Sequence, residues 1–333
     1  MTEHFCTLFN EAFLLQGLAL AESLARNGRD TLLWVLCTDD ETYSILSDLN
    51  RPDIELLRLA DVERDDLLAV KPTRTPAEYY WTLTPALIDH IMSSHAPIPR
   101  VTYLDADCFF FSGPERILSE LDESGRSVLI TEHDYAAEHD LSAIAGRFCV
   151  QFVTFGDTEA SRSLLTKWRA QCVEWCFARA EDGKFGDQGY LEPWPSEHPD
   201  DVHILSDTSL TLAPWNIAKH EDCLLDACLY HFHGLRVLPR ERVRLFEGYP
   251  ISARAVNLLY RPYLGALAEA RLMVTDLRPG WDVPRHRRSA GAMVSDAQLT
   301  ARKLLRTARL PRVGDIAATP VPPDGRGGRE RGA

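Results

Sequence analysis

The sequence predicts an α/β fold, a sheet flanked by helices. Three observations predict it. Short apolar runs alternate with amphipathic stretches through the first half of the chain. The runs have strand length, and the stretches between them have helical period. The fourth run leads straight into the acidic segment Asp105-Ala106-Asp107. In order, residues 4–9 read as a strand, and residues 11–27 as a helix with Phe13, Leu14, Leu18, Ala21, Leu24 and Ala25 at helical spacing and Gly28 closing it. Residues 31–37 read as a buried strand, 39–50 as a helix and 54–59 as a third strand. A helix over 82–94, with Pro85 near its start, precedes a fourth strand at 100–104. Such βαβαβ alternation implies parallel strands with helices on both faces. Ligands of these sheets bind beyond the carboxyl ends of the strands, which directs attention to the segments after Phe9 and after Leu104. The second half mixes strands at 127–131, 148–155 and 229–232 with helices at 159–180 and 254–273.

One domain over residues 1–282 and a basic tail over 283–333 follow from composition. The 333 residues carry a net charge of -13. From Arg285 onward, ten Arg and one Lys face Asp296, Asp315, Asp324 and Glu330, so the tail is +7 and the body -20. An acidic body argues against nucleic acid as a partner and suits a protein that recruits a cation. The tail predicts a short basic helix over 295–310 and disorder over 313–333. Its cations could touch an anionic membrane surface at the inner face, or dock on the acidic body of the same chain. None of the eight cysteines forms a C-x-x-C pair, no apolar stretch is long enough for a membrane span, and the chain opens on a strand-like run. A reduced, cytoplasmic setting is the expectation.

The segment Val101-Thr102-Tyr103-Leu104-Asp105-Ala106-Asp107 carries the strongest chemical signal. Two carboxylates one residue apart at a strand end can converge on one divalent cation through the turn that follows. Tyr230-His231-Phe232-His233-Gly234 places two histidines in an apolar strand, and a neutral imidazole is a good third ligand for such a cation. These histidines could equally be satisfied residues of the core. In Lys184-Phe185-Gly186-Asp187-Gln188-Gly189 two glycines flank an acid and an amide. That pattern fits a close backbone approach, or a helix end followed by a new cap at Asp187. Trp215-Asn216 puts an aromatic beside an amide in a turn, either lining a sugar site or plugging the core. Tyr79-Tyr80-Trp81 puts three aromatics in a row that cannot all face one core.

The order Asp-x-Asp, Asp-Gln, Trp-Asn, His-Phe-x-Gly resembles the metal-dependent glycosyltransferases of family 8 and their GT-A fold, over roughly residues 4–240. The resemblance implies a Rossmann-like mixed sheet in a single catalytic domain. It implies Mn2+ (or Mg2+) on Asp105, Asp107 and His231, with Ala106 between the carboxylates. Asp187 and Gln188 are implied as the pair at the donor sugar, and Thr7, Asn10 and Phe13 as the nucleoside cradle. It also places Trp215 and Asn216 around the donor, and Arg236 could supply the phosphate contact of a family lysine that is absent here. Three positions depart from the family pattern. Leu235-Arg236-Val237 replaces Lys-Pro-Trp, Trp81 stands where an Arg is usual, and Cys149 replaces an Asn, leaving Gln151 as the nearest polar group. The implied activity is hexose transfer from a UDP-sugar to a glycan or small-molecule hydroxyl, with retention. The alternatives are a metal-dependent phosphohydrolase or nucleotidyltransferase using Asp105 and Asp107, or a non-catalytic sugar-nucleotide- or glycan-binding protein.

Overall fold

The computed structural model describes residues 2–95, 97–246, 248–284 and 307–310. A seven-stranded sheet is built from β1 (Glu3–Phe9), β2 (Thr31–Cys37), β3 (Ile54–Arg58), β4 (Arg100–Leu104), β6 (Val128–Glu132), β7 (Phe148–Gly156) and β8 (Val202–Ile204). The strand between β4 and β6, β5 (Cys108–Phe110), leaves this sheet for a smaller one. The large sheet runs β3-β2-β1-β4-β7-β6-β8. β1 to β4 are parallel, as the alternation predicts, whereas β7 pairs antiparallel with both β4 and β6 and makes the sheet mixed. Register is fixed by the buried runs: Phe5 lies opposite Leu33, and Cys6 opposite Trp34 and Tyr103.

Apolar side chains cover both faces. On one, the helix Leu14–Asn27 packs against the helix Arg261–Leu277. On the other, the helices Pro76–Ser94 and Glu159–Glu174 pack together. There Trp168 stacks on Phe155 at 5.9 Å and meets the edge of Trp194 at 5.4 Å.

Two of the helices that differ from the sequence expectation do so through identifiable side-chain contacts. The helix expected at 82–94 begins at Pro76, because Thr75 and Glu78 form a reciprocal cap. Thr75 N donates to Glu78 Oε2 at 2.8 Å, and Pro76 suits the first turn. Pro85 therefore lies inside the helix. The three aromatics are resolved by helical geometry: Tyr79 enters the core, while Tyr80 and Trp81 are half-buried. The helix expected to reach residue 180 stops at Glu174, where Arg74 bridges a carbonyl of its last turn and one just beyond its end. The guanidinium donates to Cys176 O at 2.7 Å and Val173 O at 2.6 Å.

Two small sheets complete the fold. β5 pairs with β10 (Leu229–His231), which also pairs with β9 (Thr211–Leu212). The other contains β11 (Arg236–Leu238), β12 (Arg242–Arg244) and β13 (Thr307–Arg309). β13 corrects the expected helix over 295–310 at its end: residues 307–309 are extended and antiparallel to β12, and Leu310 is buried in the core. This favours docking on the body for that stretch of the tail. The remainder of the expected helix, and residues 313–333, lie outside the described residues. Among the described residues no helix is long and apolar enough to cross a membrane.

After β6, Asp134 sits in the left-handed region at φ 50. Its carboxylate pairs with Lys219, lies 2.8 Å from His220 Nε2 and accepts from Thr208 Oγ1 at 2.9 Å. Burial opposes its ionisation, but these partners outweigh that and hold the carboxyl below the usual range. Asp134→Asn should cost about 1–3 kcal/mol of stability at neutral pH. Because the folded pKa is depressed, the contribution is complete above the unfolded value of about 3.9 and is lost as pH falls through the folded one. Urea unfolding from pH 7 downward measures this. Wild type and variant should converge in acid, and a constant gap between them would exclude the carboxylate as its source.

Candidate active site

β4 and β5 flank Asp105, Ala106 and Asp107, and the turn between them is tight: Cys108 N donates to Asp105 O at 3.0 Å. β10 then lies antiparallel to β5 with His231 opposite Cys108, and Phe232 N donates to Asp107 O at 2.8 Å. This register brings a histidine from late in the chain onto both carboxylates. His231 Nε2 is 3.0 Å from Asp107 Oδ1 and 3.6 Å from Asp105 Oδ2. Arg236 Nη1 approaches Asp107 Oδ2 at 3.7 Å, and its guanidinium lies over the Phe13 ring at 5.0 Å.

The electrostatics follow from burial and partners. Burial alone would raise the Asp107 carboxyl, but His231 and Arg236 reverse this and pull it well below the carboxylate range. Burial raises Asp105, and the neighbouring Asp107 charge adds to the rise against the pull of His231. Tyr103 OH donates to Asp105 Oδ1 at 3.2 Å. Burial opposes the His231 imidazolium, yet Asp107, Cys149 and Asp105 together raise its pKa well above normal. His231 Nδ1 donates to Gln151 Oε1 at 3.0 Å, which points Nε2 at the carboxylates. Gln151 thus reaches the site through His231, while its own Nε2 is buried without a protein partner.

Asp187 is buried beside this group, and burial with the Asp105 charge pushes its carboxyl up to about 8. Its Oδ2 is buried without a protein partner. Asp187 stands at the N-cap position of the short helix Gln188–Leu191, as the cap reading has it, but its side chain makes no cap hydrogen bond there. Trp168 Nε1 donates to Asp187 O at 2.9 Å and anchors the segment to the core. Gly186 has φ 53, and a Cβ there would meet the Trp81 ring at 3.2 Å. The close approach read from the glycine is therefore to the chain's own indole. Gln188 Nε2 donates to Ala145 O at 2.5 Å.

At the end of β1, Thr7 is buried with an unpartnered Oγ1. Asn10 Oδ1 accepts from Ala12 N at 3.1 Å and Nδ2 donates to Tyr80 OH at 3.3 Å. Thr38 Oγ1 donates to the same phenol at 3.1 Å. Thr38 carried no signal in the sequence, and Tyr80 stood out only as one of three aromatics that cannot all face one core, with nothing to place it beside Asn10. Ala106 is buried, which leaves its backbone as its only polar means of contact. The implied donor contact of Asn216 needs correction. Asn216 is fully buried, with Oδ1 accepting from Ala213 N and Nδ2 donating to His133 O and Thr211 O. Its amide holds the turn that carries Trp215, whose ring stands perpendicular to His231 at 5.3 Å.

As a donor set, two carboxylates and one imidazole suit a divalent ion of the Mn2+ or Mg2+ kind. As positioned, the three groups contact one another directly. Among the described residues no set of three His, Cys, Asp or Glu side chains is spread in a metal-holding arrangement. Binding would require the ion to displace the proton on His231 Nε2, whereas the ring orientation is already set by Gln151.

No protein-family model matches the chain. Two curated relatives from Bacillus subtilis (strain 168) do. YfnD, an uncharacterized protein, is 29% identical over 305 residues, covering 86% of this chain and 96% of the relative. YfnF, also uncharacterized, is 29% identical over 259 residues, covering 73% and 85%. Among solved structures, the galactosyltransferase LgtC in complex with donor and acceptor sugar analogs matches with a TM-score of 0.52 and 12% identity, over 81% of this chain and 96% of that one. Mouse xyloside xylosyltransferase 1 matches with a TM-score of 0.46 and 16% identity, over 70% and 98%. The chain therefore has the GT-A type of fold expected from its motifs, a mixed sheet flanked by helices.

Proposed function

We propose that this chain is a glycosyltransferase that moves a hexose from a UDP-sugar to a hydroxyl of a glycan or small molecule, with retention. Asp105, Asp107 and His231 would hold Mn2+, or Mg2+, and the imidazole favours Mn2+. The convergence of these three side chains at the carboxyl end of β4 supports this reading most directly. A divalent ion there supplies positive charge against the leaving diphosphate.

The other side chains have roles set by their chemistry. Phe13 offers a face for the base, while Thr7, Asn10, Thr38 and Tyr80 offer polar atoms for the nucleoside. Arg236, held between Phe13 and Asp107, offers a guanidinium to the diphosphate. Asp187 presents a carboxyl oxygen without a protein partner to a sugar hydroxyl, and Gln188 lies beside it. Gln188 is a poor nucleophile, so retention is best served by front-face attack. The acceptor hydroxyl then passes its proton to the departing phosphate oxygen.

A thermal-shift panel of nucleotide sugars with and without Mn2+, joined to a donor-hydrolysis assay, tests the proposal. Stabilisation by a UDP-sugar only with Mn2+, accompanied by slow hydrolysis of the sugar–phosphate bond, is expected. Binding without hydrolysis favours a sugar-nucleotide-binding protein, and release of inorganic phosphate a phosphohydrolase. Gln151→Leu should leave the fold intact and raise the Mn2+ Kd about 10–100-fold, since it removes the partner that orients His231. Titration with Mn2+ followed by electron paramagnetic resonance measures this, and an unchanged Kd would return Gln151 to a packing role.

A further inference from the structure

Four ring side chains take no part in the donor contacts proposed above, and one of them, Trp215, packs on His231. Tyr135 and Trp215 pack with Cys149 and Tyr249 in a small cluster of their own, and His139 meets Tyr249 edge-on at 5.2 Å. Trp215 is 4% exposed, and its ring stands 5.3 Å from His231 and 5.5 Å from His233. Its Nε1 is buried without a hydrogen-bond partner, and so is His139 Nε2. Tyr135, His139 and Tyr249 are half-buried, so the cluster opens to solvent at its rim. Behind it, His133 stacks on Tyr135 at 4.6 Å and meets Trp215 edge-on at 5.2 Å, fixing both rings. Asn216 fixes the Trp215 turn from the other side.

Packing alone does not explain this arrangement. A buried N–H normally finds an acceptor, and an indole that only filled the core could be replaced by a ring without one. Half-buried aromatic side chains beside unpartnered ring nitrogens complement a ligand with an apolar face and a hydroxylated rim. A pyranose has that form: its axial C–H groups stack on an aromatic face, and its hydroxyl oxygens accept from N–H donors. We propose that Tyr135, Trp215 and Tyr249, with His139, form the acceptor subsite, and that it holds a pyranose ring beside His231. The assignment as an acceptor site rests on the glycosyl-transfer reading above.

The test uses the full chain without nucleotide or metal. The methyl α- and β-pyranosides of glucose, galactose and mannose are titrated by saturation-transfer NMR, with melting temperature as the check on folding. At least one glycoside should bind wild type at millimolar concentration. Tyr249→Ala and Tyr135→Ala should each weaken it about tenfold. Tyr249→Phe, which keeps the ring face, should stay within about twofold of wild type. Trp215→Phe keeps an aromatic ring and removes the N–H, and should weaken binding about fivefold; this variant decides the matter if the alanine variants fail to fold. Absence of binding to wild type, or affinity unchanged in the folded alanine variants and in Trp215→Phe, overturns the subsite. Nucleotide-sugar binding without glycoside binding overturns the subsite alone. Glycoside binding without nucleotide-sugar binding overturns the glycosyl-transfer reading, and with it the assignment as acceptor.

Discussion

Asp107→Asn should weaken Mn2+-dependent binding of a UDP-sugar about 100-fold or more, with the fold retained. The side chain is the carboxylate nearest His231 and also the one that faces Arg236, so it joins the proposed ion site to the proposed diphosphate contact. The fold does not depend on its charge in the same way. The Asp107 carbonyl, not the carboxylate, accepts from Phe232 N and continues the β5–β10 ladder, and the amide of asparagine fills the same space. Isothermal titration with and without Mn2+ separates the effects. Affinity should fall only in the presence of the ion, and circular dichroism should match wild type. Equal nucleotide affinity in the variant and wild type would remove the proposed site.

Gln188→Ala should lower kcat about 100-fold while the Kd of the nucleotide changes less than about threefold, the signature of a contact made mainly in the transition state. The structure supplies a competing role, because Gln188 Nε2 also holds Ala145 O. If holding that backbone were its whole purpose, the variant would loosen the turn at Ser142–Ala145 and move the acceptor KM while sparing kcat. Steady-state kinetics with varied donor and then varied acceptor distinguish the two. A kcat within twofold of wild type would leave Gln188 a structural residue.

Much of the fold was legible because it is local. The strand at Thr31–Cys37 was legible at its observed bounds because polar residues close the run at both ends, whereas Ile54–Arg58 was overshot by one residue because Leu59 continues the apolar run. Helix ends were harder. Thr75 and Glu78 form a reciprocal cap that the sequence pattern permits, yet the aromatic run behind it obscured the period. The end of the helix at Glu174 depends on Arg74, a residue far away in sequence. The candidate site shows the same division. Asp105 and Asp107 stood out as acids directly after an apolar strand and His231 as a polar residue within one, and the β5–β10 register joins them. That Gln151 would orient His231, that Asn216 would be consumed by backbone, and that Tyr80 would reach Asn10 could not be read from periodicity, because each depends on tertiary contact.

The β5–β10 pairing also bears on how the chain comes off the ribosome. Cys108-Phe109-Phe110 emerges early, but its only strand partner in the described fold is Leu229–His231, which is made much later. Until then a short, strongly apolar strand has a bare edge, and the two carboxylates before it lack the imidazole that balances them. A bare apolar edge is a template for association between chains. Synthesis interrupted before Leu229 should therefore yield fragments that aggregate rather than persist in solution. One late strand both covers the apolar edge and delivers His231 to the two carboxylates, so the ladder and the candidate site form in the same folding step.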